Sequence, residues 1–225
     1  MTELLKQYGK LLSEVDIWFS RSMDRYPEHI LCGKGCSGCC RGLFDITLLD
    51  ACYLQRGFNL LPLDIRINVS RIAKERVDSI RKLWPEFDQP YLLNHRSEDD
   101  WQQIMPEDDE TPCLLLDDSG NCLIYEYRPM TCRLHGLPLV DISGEVMHDE
   151  WCTENFRKVD PLQLEGLRAE FERMLQEEVR LDRMMSIELF GTVIFELDTL
   201  IPAAMLINFK NLRNQRVIEN LDSLP

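Results

Sequence analysis

CGKGCSGCC, residues 32–40, places four cysteines and three glycines in nine positions. Cys36 and Cys39 form a C-x-x-C pair, a spacing that lets two thiolates turn back onto one tetrahedral ion. Cys32 brings a third sulfur within reach of the same loop. Cys40 is harder to place, because neighbouring side chains diverge and rarely bind one ion together. It calls for a second metal, a cluster, or a role as a supporting or resolving thiol. Gly33, Gly35 and Gly38 allow the tight turns of such a knuckle. Lys34 and Arg41 stand beside the thiols, where they would offset thiolate charge. The plainer alternative treats these cysteines as small buried hydrophobes, but four in one glycine-rich loop point to metal or redox chemistry.

The rest of the chain sets the context. It has 225 residues, 44% hydrophobic and 28% charged, with a formal net charge of −14. That length can bury a core without staples. The negative charge argues against nucleic acid and anionic membrane as partners. Near the start, Glu3, Lys6, Lys10, Glu14 and Asp16 interrupt what a secretory signal would keep apolar. In the most apolar late stretch, Glu196, Asp198 and Pro202 oppose a membrane span. We therefore expect a cytoplasmic protein. That compartment keeps thiols reduced, so clustered cysteines there serve metals or redox chemistry more often than disulfides.

Helical periodicity dominates. Leu4, Leu5, Tyr8, Leu11, Leu12, Val15, Trp18, Phe19 and Met23 predict a helix ending before Pro27. A short helix should follow over ITLLDACYLQRG and stop at Gly57. Ile65, Val69, Ile72, Val77, Ile80 and Trp84 mark another, with Pro85 beyond it. The acidic stretch SEDDWQQIMPEDDE reads as a solvated loop with a short helix over 97–104. CLLLDDSGNCLIY and LPLVDISGEVMHD each look like two extended pieces around a turn. Asp160 can cap a helix starting at Pro161, with Leu164, Leu167, Phe171, Met174 and Leu175 on its buried face. Further helix should run to the C-terminus, broken near Gly191 and Pro202. No repeat or linker divides the chain. The expected fold is mainly α, one domain over 1–225, with helices around a cysteine-rich loop core and a small β-hairpin.

Cys113, Cys122, Cys132 and Cys152 lie in the turn-rich middle, away from helix-periodic apolar faces. Four plus four cysteines suit two tetrahedral sites, or one cluster with structural thiols around it. Cys52 sits among Leu48, Leu49, Tyr53 and Leu54 and reads as core. His135 and His148 flank the region, with surface or hydrogen-bonded roles favoured for both. His29 and His95 have weaker claims.

The first motif, together with CLLLDDSGNCLIYEYRPMTCRLHG, resembles the YkgJ-type cysteine-cluster family, whose members are described as zinc or iron chelators. The resemblance rests on Cys36, Cys39 and Cys40 with Cys32 ahead of them, then Cys113, Cys122, Tyr125, Arg128, Pro129, Cys132 and Arg133. Leu114 stands where the family often has proline. The motif region spans 32–152. The resemblance implies metal chelation, by zinc, mononuclear iron or an iron–sulfur cluster, with the metal ion as partner. A related branch comprises flagellin lysine N-methylases that use S-adenosylmethionine, so a methylase-like enzyme is one alternative and a thiol redox protein another. Cys32-x-x-x-Cys36-x-x-Cys39 also has the spacing of the radical S-adenosylmethionine motif. Gly38, however, replaces the usual aromatic residue, and no run of β-α units is present.

The expected metal ligands are Cys32, Cys36, Cys39, Cys40, Cys113, Cys122, Cys132 and Cys152. The closest set should be Cys36, Cys39, Cys122 and Cys132. Four thiolates on one divalent ion carry a net double negative charge, which needs cations or N–H groups nearby. Arg128 and Arg133 are placed to supply them. Tyr125 should pack beside the site with its hydroxyl bonded.

Overall fold

The computed structural model describes residues 1–33, 35–93, 97, 104–106, 108–195 and 197–212. Lys34, His95, most of the helix expected over 97–104 and the helical continuation beyond 212 lie outside the described residues.

The first helix, α1 (Thr2–Arg25), buries Leu4, Leu5, Tyr8, Leu11, Leu12, Val15 and Trp18, one stripe at three- and four-residue spacing. It ends at Tyr26, ahead of Pro27, which disfavours helical backbone before it. A three-residue strand, β1 (Asp45–Thr47), leads into α2 (Leu48–Phe58). The Thr47 hydroxyl caps α2 by accepting the Asp50 N–H at 3.0 Å. Contrary to expectation, Gly57 lies inside α2. It serves close packing: a Cβ there would fall 2.4 Å from Cγ of Tyr127. Helix α3 (Leu63–Leu83) buries Val69, Ala73, Val77 and Ile80.

After the turn-rich middle come α4 (Met130–Leu134) and the long α5 (Phe171–Phe190). Gly191, at φ +77°, ends α5 in the left-handed conformation. Short helices α6 (Ile201–Ala204) and α7 (Phe209–Leu212) follow. The described residues are thus mainly α, with small antiparallel strand pairs. The hairpin expected in LPLVDISGEVMHD is present as β2 (Leu139–Val140) and β3 (Val146–His148). CLLLDDSGNCLIY forms a turn closed by a single bridge, Leu116 to Cys122.

Two features depart from the sequence pattern. First, β1 pairs antiparallel with β4 (Asp198–Leu200), placing Ile46 opposite Thr199. These segments are too short and too far apart in the chain for periodicity to show. Second, Asp160 caps a 3-10 turn, Pro161–Gln163, and another such turn spans Glu165–Leu167. The long helix begins only at Phe171. Tertiary hydrogen bonds claim the intervening backbone: Trp18 Nε1 donates to the Leu167 carbonyl at 2.6 Å, and the Gly166 N–H donates to the Tyr26 hydroxyl at 3.2 Å.

One continuous cluster of buried aliphatic and aromatic side chains runs from Leu4 to Leu212. Cysteine does not form its centre. Cys32, Cys52, Cys113, Cys122 and Cys132 pack, partly buried, against its margin, and Cys36 is exposed.

Polar groups are sunk where α1, α2 and α5 meet. The Tyr8 hydroxyl donates to Asp50 Oδ1 at 2.5 Å and also lies 3.2 Å from Glu178 Oε1. Burial and the neighbouring Asp50, Asp182 and Asp198 push the Glu178 carboxyl up from 4.5 to about 8. Burial likewise raises Asp50 and Asp182 to about 6. A carboxyl raised in the folded state keeps a proton that the unfolded chain has lost, so its stabilising contribution falls as pH rises. For Glu178 that loss should run from its ordinary value of 4.5 up to about 8. Glu178→Gln should therefore raise the melting temperature relative to the parent increasingly across that window, with little difference below it. Melting curves against pH at constant ionic strength measure this, and an equal difference at every pH would contradict it.

Candidate metal centre

The cysteine loop leaves α1 through Tyr26 to Ile30 and makes two successive turns. The Cys36 N–H donates to the Gly33 carbonyl at 3.0 Å and the Cys40 N–H to the Ser37 carbonyl at 3.1 Å. Of the loop glycines, Gly35 needs its freedom, at φ +87°. The loop leans on the turn at 117–121, where a Cβ on Gly120 would fall 3.0 Å from Ser37 Oγ. That turn is built by Asp117, whose carboxylate accepts the N–H groups of Ser119 at 2.9 Å and Asn121 at 2.8 Å.

Backbone pairing joins the two motifs. The Cys113 N–H donates to the Cys40 carbonyl at 2.8 Å, and the Gly42 N–H donates to the Thr111 carbonyl at 2.9 Å. Arg41 and Pro112 form an antiparallel bridge between these bonds. The 115–123 turn then returns Cys122 to the same region, with the Leu123 N–H donating to the Leu115 carbonyl at 2.8 Å. Cys132 enters on α4.

The thiols form one linked series, in which Cys39 hydrogen-bonds to Cys40 and also faces Cys32. Cys40 is held below its ordinary value by a hydrogen bond from Cys39, while burial and then Cys113, Cys132 and Cys122 oppose that shift. Burial pushes Cys132 well up, with Cys113, Asp50 and Cys122 adding to it. Burial also raises Cys113 and Cys122. Cys32 is raised by burial, against the Asn155 hydrogen bond, and the thiols that face it are Cys36, Cys152 and Cys39. Cys39 is driven strongly up, first by its hydrogen bond to Cys40 and then by burial. The backbone thus sets Cys40 beside the downstream motif, with Cys39 hydrogen-bonded to it; the set expected closest was Cys36, Cys39, Cys122 and Cys132. All nine cysteines are free. Among the described residues, no three Cys, His, Asp or Glu side chains stand together at the spacing of a bound metal ion.

Cys52 lies elsewhere, with its sulfur 3.9 Å from Met1 Sδ. Burial pushes it up to about 12, with smaller opposing effects from the N-terminal amine and Arg56 and a reinforcing one from Glu188. His135 packs edge-on against Phe44, and His148 is exposed on β3.

The cations are placed by the fold. Arg128 lies 3.6 Å above the Tyr125 ring, donates to the Tyr125 carbonyl at 3.0 Å and pairs with Asp16 at 3.3 Å. Its charge lowers Cys39, Cys122 and Cys132. Tyr125, 46% exposed, is therefore a platform for Arg128. Arg133, 4% exposed, donates to the carbonyls of Arg128 at 2.9 Å and Glu126 at 2.8 Å and pairs with Asp16. Its charge also reaches Cys122, but its hydrogen bonds make it chiefly the clamp that holds the second motif on α1. Arg41 turns to the Glu110 carbonyl at 3.4 Å.

Sequence reasoning did not find three further residues. Arg76, on α3, donates to the Pro112 carbonyl and faces Cys113. Asp16 receives both arginines. Asn155, 1% exposed, contacts the Cys32 sulfur. Their only sequence signal is polarity, which most surface positions share.

No family model matches this chain, and no curated protein or solved structure is similar to it at a significant level.

The geometry separates the two arginines. Arg133→Ala should destabilise the metal-free protein by about 2–3 kcal/mol, because buried carbonyls and a charge partner lose their donor. Arg128→Ala, whose ion pair reaches partly exposed Asp16, should cost under about 1 kcal/mol. Urea unfolding of the reduced, metal-free variants checks the order, and equal costs would refute the division.

Proposed function

We propose that this chain binds a thiophilic metal ion, zinc or iron, including iron in an iron–sulfur cluster, through its clustered cysteines. The observation that carries this reading is the Cys113 N–H to Cys40 carbonyl bond at 2.8 Å. It sets the end of one cysteine motif against the start of another that is remote in sequence. Cys40, Cys113, Cys122 and Cys132 then face one another, a donor set that suits zinc or an iron–sulfur centre in kind. Ligation would require these side chains to draw closer than they stand here.

The surroundings support the reading. Thiolate ligands concentrate negative charge, and Arg128 and Arg76 supply positive charge beside Cys122, Cys132 and Cys113. A reducing compartment such as the cytoplasm would keep the nine free thiols available. Among the described residues, no helix is long and apolar enough to cross a membrane. The resemblance of the two motifs to the YkgJ-type chelators agrees with this function. The net charge of −14 disfavours a nucleic-acid partner.

A thiol redox protein is the second reading. It is favoured by the hydrogen bond from Cys39 that lowers Cys40, an arrangement that makes one of two adjacent thiols the better nucleophile.

Metal analysis and an optical spectrum of protein purified without oxygen discriminate between the two. Bound zinc, or iron with sulfide, supports the first reading, and metal-free protein with an active dithiol supports the second. Cys122→Ser should lower the metal content per chain. Cys52→Ser should leave it unchanged, because that thiol lies against Met1. Metal loss in the Cys52 variant alone would overturn the ligand assignment.

A further inference from the structure

We infer that the outer face of α5 is an interface for a second copy of this chain, the two helices lying antiparallel about a two-fold axis near Val179. The thiols take no part in it.

Helix α5 carries more apolar surface than its core contact needs. Phe171, Met174, Leu181, Met185 and Leu189 are buried on its inner side, which already makes an amphipathic helix. Leu175, Val179, Met184 and Ile187 stand on the other side, where solvent-facing positions are ordinarily polar. Val179 is 47% exposed and Ile187 48%. Exposed apolar residues scattered singly need no explanation, but a contiguous group does. These four line one hollow of about 630 Å³ together with Met147 of β3 and Val193, beyond the end of α5. Phe195, 61% exposed, extends the surface, with the Arg183 guanidinium over its ring at 4.8 Å.

The two ends of this face complement each other. Glu172 lies in the first turn of α5, and its N–H donates to Asp141 Oδ1 at 3.1 Å, so the β2–β3 hairpin flanks that end. Arg183, Ile187 and Val193 belong to the opposite end. A two-fold axis reverses one helix against the other and brings unlike ends together, as an isologous contact requires. Centred on Val179, it sets that valine against its own counterpart. At about 1.5 Å per residue, Glu172 of one copy then lies about 4.5 Å along the axis from Arg183 of the other, within reach of an arginine side chain. Met147 beside the first end meets Ile187 and Val193 at the other. The rim is polar: Arg180 donates to Glu177 at 2.7 Å and to Gln7 of α1 at 3.1 Å, and Gln176 donates to Glu172 at 3.1 Å. An apolar centre with a polar rim is the usual anatomy of such a contact.

Size and charge set the strength. A helix of 20 residues is about 30 Å long, and with flanks about 20 Å wide in all the face covers about 600 Å² per copy, below the roughly 800 Å² of a standard interface. The net charge of −14 also opposes approach of like copies. Association should therefore be weak, with a micromolar dissociation constant.

Sedimentation velocity of the full chain, kept reduced, over a concentration series from low to several hundred micromolar tests this. We expect the parent to pass from monomer to dimer. Val179→Glu places two like charges at the axis and should weaken the dimer by about tenfold or more. Its melting temperature at low concentration should match the parent's, because Val179 is half exposed in the single chain. Glu172→Arg and Arg183→Glu should each weaken the dimer, and the two combined should restore it, which a role in folding alone would not produce. A parent that stays monomeric throughout would overturn the inference and leave the face to residues 213–225 or to a different protein. A dimer that survives Val179→Glu, or a double charge variant no better than the single ones, would overturn it as well.

Discussion

The carboxylate of Asp50 ties the helices to the cysteine-bearing segments. It lies on α2, 2% exposed. Its Oδ1 accepts the Tyr8 hydroxyl of α1 at 2.5 Å and the Met130 N–H, at the first residue of α4, at 2.9 Å. The second bond satisfies one of the orphan donors at a helix start. Through Tyr8 the same group reaches Glu178 on α5. One buried oxygen thus links three helices and holds the segment that carries Cys132 against the core. Removing it would leave the Met130 N–H unpaired in apolar surroundings and the Tyr8 hydroxyl with Glu178 alone.

The electrostatics of the thiol region follow from that anchoring. With α4 fixed, Arg133 closes its donors on the Glu126 and Arg128 carbonyls and on Asp16 of α1. Arg128 is left above Tyr125, directed toward Cys39, Cys122 and Cys132. One arginine fixes the loop and its neighbour offers charge to the sulfurs. Both use the same acidic residue, so Asp16 belongs to the electrostatic frame of the thiols although no cysteine stands near it in sequence.

Motif reading located the thiols but not which of them meets the remote segment through the backbone. Cys36 and Cys39 were expected closest to Cys122 and Cys132 because all four sit inside the two motifs. Spacing reports what a loop can bring together locally and not which side of the loop meets a remote segment. The backbone bond between Cys113 and Cys40 decides that. Asn155 was invisible for the same reason: an asparagine in a polar stretch becomes informative only when folding buries it against Cys32.

The sequence alone determined the long helices. In α1 and α3 the apolar residues recur at helical spacing, and burial of that stripe is a local property that needs no partner to be recognised. It also determined the β2–β3 hairpin, whose Ser143-Gly144 turn is short-range chemistry, with Gly144 at φ +93°. Tertiary structure decided the rest. The β1–β4 pair depends on two short segments at opposite ends of the chain. The late start of α5 depends on Trp18 and Tyr26 taking the backbone of residues 166–167. The grouping of the cysteines depends on hydrogen bonds across long loops, whose closure is a property of the whole chain and leaves no periodic trace in it.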